Sequence, residues 1–220
     1  MARLVVDLLL IAGLTFLAWK YLRLREMTAG GTLPDLACLA GVASLLDAAE
    51  GYAAPHATAV ADLATTLGRR LGLPEPSLLS LRIAALTHDA GQVTLPRDLF
   101  RKAGPLTAEE WFLVRTHPLI GELALRQAMP ALSEVPSLVR WHHERWDGAG
   151  YPDRLQAEEI PLGARILALA DAVSALAQAR PHRPARPARE VRSELLREAG
   201  LQFDPVVVQA WIALQGGADA

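Results

Sequence analysis

The chain of 220 residues is long enough for one domain and a short appendage. A formal net charge of −2 leaves no electrostatic footprint for a nucleic-acid polymer, and a single cysteine, Cys38, excludes an internal disulfide and a CxxC zinc site. Hydrophobic residues make up 51% of the chain and aromatics only 5%, with Ala and Leu, both strong helix formers, dominant, which predicts an all-α protein.

The first element is apolar. Residues 4–19, LVVDLLLIAGLTFLAW, are interrupted only by Asp7 and Thr15. Crossing a bilayer takes about 20 residues, a length reached at Leu24 if Lys20 and Arg23 snorkel toward the interface. Trp19 and Tyr21 suit an interfacial aromatic belt. Lys20, Arg23 and Arg25 stand where a cleaved signal peptide would need small residues. Positive charge is denser after the segment than before it, which places the following domain in the cytoplasm. The expected organisation is a single-pass inner-membrane anchor over residues 1–26, a linker over 27–33 and a helical domain over 34–215.

From there the pattern is helices punctuated by Gly and Pro, predicted over 34–49, 53–72, 75–88, 107–128, 131–146, 160–179, 187–199 and 204–214. Cys38, in the apolar run LACLAGVASLL, reads as a core residue. Thr107 followed by Glu110 fits a capping box. Residues 91–106 lack a period and read as a structured loop.

Histidines and carboxylates recur along these elements: His56, His88-Asp89, His117, His142-His143 and Asp171, in steps of 32, 28, 25 and 28 residues. A helix of four or five turns with its loop uses about that many residues, so each helix brings one ligand or pair. Helical bundles build metal sites this way, from side chains on facing helices. Taken singly, each residue has an ordinary explanation as a core histidine, a cap or a backbone-bonded aspartate. As a set they lie in apolar segments such as AALTHDAG and LALADAVSAL, where an unpaired Asp or His costs several kcal/mol, on the order of 2–7. Five imidazoles and two carboxylates exceed what one ion takes. Two ions sharing Asp89 fit the count, and the adjacent His142 and His143 can both serve them if the pair lies at the helix side. Nitrogen and oxygen ligation without thiolate suits Fe or Mn, with Zn, Ni or Co as further options.

THDAG at 87–91, HPLIG at 117–121, HHERWDGAGYP at 142–152 and RILALADAVSAL at 165–176 resemble the HD-GYP family of metal-dependent phosphodiesterases, within the HD-domain superfamily. The resemblance runs from about residue 50 to 208 and includes KAGPLTAEEW at 102–111 and GLQFDP at 200–205. It implies an all-α bundle of the HD-domain type, two divalent metal ions and hydrolysis of cyclic di-GMP to pGpG, with GMP as a further product open to the family. By position, His56, His88, Asp89 and Asp171 would hold one metal, and Asp89, His117, His142 and His143 the other. His88, Asp89 and Gln92 would be catalytic. Tyr151 would line the substrate cavity, and Arg180 and Arg183 match basic residues that contact the dinucleotide. Glu144 and Asp147 are read as partners that orient the histidine rings. A homodimer is allowed, the sequence leaving the oligomeric state open.

Some positions depart from the family pattern. Gln92 stands for a lysine expected at the scissile phosphate, Ala59 for an arginine, and His182 for the tyrosine of an RPYR element. Tyr52 occupies the place of a glutamate that completes a third metal site in some members. None removes a metal ligand. Two other readings stay open: a receptor that binds cyclic di-GMP without cutting it, supported by Gln92, and an HD phosphohydrolase acting on another nucleotide.

Overall fold

A computed structural model describes residues 35–50, 52, 54–99, 102, 104–179 and 184–215. Among these, α-helices follow in the order α1 (Leu36–Glu50), α2 (His56–Arg70), α3 (Glu75–Thr87), α4 (Ala108–Val114), α5 (His117–Ala128), α6 (Glu134–Trp141), α7 (Leu162–Ala177), α8 (Ala188–Arg197) and α9 (Pro205–Gln215). No strand occurs among the described residues, so the all-α expectation holds.

Helix α2 is the axis of the packing. Its buried residues, His56, Ala57, Val60, Ala61, Ala64, Thr65, Leu67 and Gly68, recur at helical spacing and form one stripe. That stripe faces α3 and α7, whose Leu81, Ile83, Ala84, Ile166, Leu167 and Leu169 are closed to solvent. Helix α6 packs on α3 through Val135 and Val139, and α5 packs on α6 and on the 3-10 turn Ala90–Thr94. The small residues of α2 let its neighbours approach closely, bringing the start of α2, the end of α3 and the middle of α7 to one place.

The helix predicted over 107–128 is two helices. Thr107 and Glu110 form the expected capping box at the start of α4. The helix stops at Val114 because Pro118 has no N–H to continue the ladder, and α5 restarts at His117 with that proline in its first turn. The helix predicted over 131–146 ends at Trp141, so His142 and His143 leave its C-terminal end and do not lie along its side. The loop predicted over 91–106 contains two short 3-10 turns, Ala90–Thr94 and Arg97–Leu99. Cys38 is exposed among the described residues and is not a core residue.

The membrane expectation is corrected. No helix among the described residues is long and apolar enough to cross a membrane. The anchor expected over 1–26 and the linker over 27–33 lie outside the described residues. The inner-membrane localisation is therefore not retained.

Candidate metal centre

Three of the histidines sit where a helix has just ended. His88 follows α3, His142 follows α6, and His117 stands three residues beyond the last residue of α4. The last carbonyls of a helix lack an intrahelical partner. Each imidazole takes one of them. Nδ1 of His88, His117 and His142 donates to the carbonyl three residues back, of Ala85, Val114 and Val139, at 2.8, 2.7 and 2.7 Å. This bond sets the tautomer and directs Nε2 into the interior. His56 is held by another device: its Nδ1 meets the Ser174 hydroxyl at 2.9 Å, three residues beyond Asp171 on the same face of α7.

All seven predicted groups come together. They form two sets, His56 with His88 and Asp171, and Asp89 with His117, His142 and His143; within each set one candidate ligand atom per residue lies within 4.8 Å of the others. Asp89 faces both sets, with Oδ2 at 3.0 Å from His88 Nε2 and Oδ1 at 3.4 Å from His117 Nε2. Asp171 Oδ1 lies 3.2 Å from His56 Nε2 and 3.9 Å from His88 Nε2. His117 and His142 point their Nε2 atoms at each other across 3.4 Å.

The donors fit divalent cations. Nε2 of His56 and of His88 is buried and makes no well-formed hydrogen bond, although carboxylate oxygens stand near both. Leaving such atoms unpaired costs about 1–3 kcal/mol each. Buried ring nitrogens that face carboxylates without a formed bond are arranged for a ligand between them.

Electrostatics prepare three of the rings for ligation and leave His88 paired with its carboxylates. Burial pushes His117, His142 and His143 down, the neighbouring imidazoles add to this, and His143 falls to about 3. These three rings are neutral, as a metal ligand must be. Burial also works against charge on His88, but the Asp89 carboxylate beside it and Asp171 prevail and carry it up to about 10. Asp89 is correspondingly held well below the usual carboxylate range: burial opposes this, and the charge and close contact of the His88 ring beside it overcome it.

The turn after α6 closes one side. Gly150 is there because a Cβ would come within 2.3 Å of the Arg145 backbone nitrogen. Tyr151 N donates to the His143 carbonyl at 3.2 Å, and the two rings stack with centroids 4.9 Å apart. Glu144 is buried, but it touches no histidine ring. Its Oε1 accepts from the backbone N–H of Asp153 at 2.6 Å and of Arg154 at 3.1 Å, tying down the end of the turn. Asp147 pairs with Arg145 and accepts from Ala149 N. The reading of both as ring-orienting partners is corrected, because the carbonyls of the finished helices already do that work. Arg140 adds a second tie, bonding Asp153 at 2.6 and 2.8 Å and Glu122 at 2.5 Å.

Gln92 reaches the centre by donating from Nε2 to Asp89 Oδ1. Tyr52 stacks on the His56 ring, centroids 4.2 Å apart and 6° from parallel. Arg180 and Arg183 lie outside the described residues. Two partners escaped the sequence reading. Ser174 is one; its spacing of three from Asp171 was the available signal. The other is Asp47, buried on α1, whose carboxylate accepts from Ala57 N at 3.1 Å and so caps the helix that begins with His56. An acid inside the apolar run SLLDAA was its signal.

A family model described as HD domain matches residues 42–207. The chain is 32% identical over 169 residues to 3'3'-cGAMP-specific phosphodiesterase 2 of Vibrio cholerae, covering 76% of this chain and 32% of that protein. It is 35% identical over 173 residues to the cyclic di-GMP phosphodiesterase response regulator RpfG of Xanthomonas campestris pv. campestris, covering 78% and 46%. The chain thus spans less than half the length of these curated relatives. Among solved structures, a cyclic GMP-AMP specific phosphodiesterase of V. cholerae, V-cGAP3, superposes with a TM-score of 0.62 at 21% identity, over 81% of this chain and 49% of that one. Bd1817 of Bdellovibrio bacteriovorus, an HD-GYP-type protein by its description, gives 0.62 at 19%, over 82% and 62%. At these identities the structural likeness establishes the fold.

Proposed function

The chain belongs to the HD-domain family and carries the HD-GYP motif set, and on that premise we propose that it is a metal-dependent phosphodiesterase hydrolysing cyclic di-GMP to pGpG, with GMP as a further product. His56, His88, Asp89 and Asp171 hold one divalent ion, and Asp89, His117, His142 and His143 hold a second; Fe or Mn is the expected metal. The observation that carries this reading is Asp89, which turns one carboxylate oxygen to each set of ligands. Two cations held there supply an activated water and a counter-charge for the phosphoryl oxygens. The chain's own residues do the rest. The three helix-end carbonyls hold the rings in place, so the site reorganises little during reaction. Gln92 fixes the orientation of Asp89 through its amide. Tyr151 forms the wall of the substrate cavity, and Arg180 and Arg183 hold the dinucleotide.

Relatives named for 3'3'-cGAMP favour testing both cyclic dinucleotides as substrates. A second reading, a receptor with little turnover, draws on the commitment of the Gln92 amide to Asp89, which leaves no cation at the place of the family lysine. The test is hydrolysis of cyclic di-GMP and 3'3'-cGAMP by the metal-loaded protein and by His88→Ala and Asp89→Ala, with metal content measured on the same samples. Loss of metal and turnover together is the expected result. Turnover equal to wild type in both variants removes these residues from the chemistry, and tight binding without turnover in the wild type favours the receptor.

A further inference from the structure

Next to His143, along the Tyr151 turn, lies a groove of about 560 Å³. Its lining includes Phe112, Arg115, Thr116, Tyr151 and Arg154, with two arginines and no acidic side chain. In this chain, where acids outnumber bases, that is unusual. Nearby guanidinium groups are neutralised: Arg140 by Glu122 and Asp153, Arg145 by Asp147, Arg126 by Glu122. Arg115 is held by aromatic rings, its guanidinium carbon 5.4 Å from the centroid of Tyr151 and 5.9 Å from that of Trp111. A guanidinium stacked on a ring spends its face and keeps its in-plane N–H donors free. Tyr151 has His143 against it as well as Arg115. Tyr151 is therefore in contact with both a candidate metal ligand and Arg115, whose guanidinium has no acidic partner among the described residues. Arg154 is fixed at the groove by strain: its φ of 58° is held by the bond from its N–H to Glu144.

We propose that Arg115, with Arg154 lining the same groove, seats the phosphodiester of the cyclic dinucleotide that is not being cut. The proposal rests on the cyclic-dinucleotide reading above. A ring-shaped substrate carries two phosphates. Only one can sit over the metals, and the other needs a cation one side chain away. Arg115 is such a cation, and an anion is what an acid-free groove with two guanidiniums accepts.

The experiment is steady-state hydrolysis of cyclic di-GMP and 3'3'-cGAMP by the metal-loaded full chain, comparing wild type, Arg115→Ala and Arg115→Lys, with metal content and melting temperature recorded. Arg115→Ala is expected to raise KM by about tenfold or more for both substrates, the loss of a charge-assisted contact, with a smaller change in kcat and wild-type metal content. Arg115→Lys keeps a point charge but loses the planar fork and the ring stacking, so its KM is expected between those of wild type and Arg115→Ala. An Arg115→Ala KM equal to wild type overturns the proposal, as does a loss of bound metal, which would mark a structural role. A KM for Arg115→Lys above that of Arg115→Ala overturns it too, because a retained positive charge would then bring no benefit. Wild-type protein that retains metal and cleaves bis(p-nitrophenyl) phosphate but neither binds nor cuts a cyclic dinucleotide refutes the parent reading, and the proposal falls with it; an unchanged KM in an active enzyme refutes the proposal alone.

Discussion

Gly91 lies against the backbone of His117: a Cβ built on it would stand 2.0 Å from the His117 carbonyl oxygen. The absence of a single methyl, at Gly91, therefore decides whether the segment carrying Asp89 can reach the helix carrying His117. Gly91→Ala forces the two apart. We expect a loss of about 2 kcal/mol or more in stability, as for other overpacked sites, and a clear fall in bound metal. Thermal melts with and without added Mn²⁺ check this; a variant that melts and binds metal as wild type does would mean that the two segments can separate without cost.

Gln92→Met keeps the length of the side chain and removes its amide. Asp89 then loses the donor on Oδ1. Partners of metal ligands are worth about 10–100-fold in affinity or activity, so kcat is expected to drop by about tenfold. Titration of the metal-free variant with Mn²⁺ and a turnover assay give both numbers. An unchanged kcat would assign Gln92 to packing alone.

Glu144→Ala removes the acceptor for two backbone N–H groups at the end of the Tyr151 turn. Leaving buried donors unmet costs about 1–3 kcal/mol. Because Arg140 still ties Asp153, the domain stays folded and the damage is local. The expected result is a higher KM and faster amide exchange over residues 148–155, with exchange in α2 and α3 unchanged.

Stability of the metal-free protein should peak near neutrality. His142 and His143 titrate far below an unfolded histidine's value of about 6.5. Below about pH 6.5 the unfolded chain therefore binds more protons than the folded one, and stability falls with falling pH. His88 acts in the opposite direction. Its value of about 10 means that its contribution is full below about pH 6.5 and is lost as pH rises toward 10. Calorimetry of the chelated protein from about pH 5 to pH 9 tests the sum. A melting temperature that climbs steadily into acid would contradict the neutral burial of the histidine pair.

The seven groups that converge at the candidate centre were legible in the sequence because their chemistry is costly inside apolar helices and their spacing matches one helix and one loop. The capping box at Thr107 was legible for a similar reason, being a local pattern with a local cause. The break between α4 and α5 was signalled by Pro118 but masked by the apolar period that runs through both. What holds His88, His117 and His142 could not be read at all. Backbone carbonyls of Ala85, Val114 and Val139 do it, and every residue has a carbonyl, so the sequence carries no mark of them. Glu144 suggested a ring partner because it adjoins His143; its carboxylate instead turns toward residues nine and ten places further on. Arg115 drew no notice, since its environment of two rings and no acid exists only after folding.

The latch of each imidazole to the carbonyl three residues behind it makes helix length the ruler of the centre. One residue added within α3, upstream of Ala85, leaves the bond between His88 and its own helix intact. It also turns that helix end by about 100° and advances it about 1.5 Å, swinging the ring away from its companions with its local geometry undamaged. Length is thus closely held in the helices that carry the rings, where even a whole added turn restores a ring's direction but carries it about 5.4 Å along the axis, away from its companions.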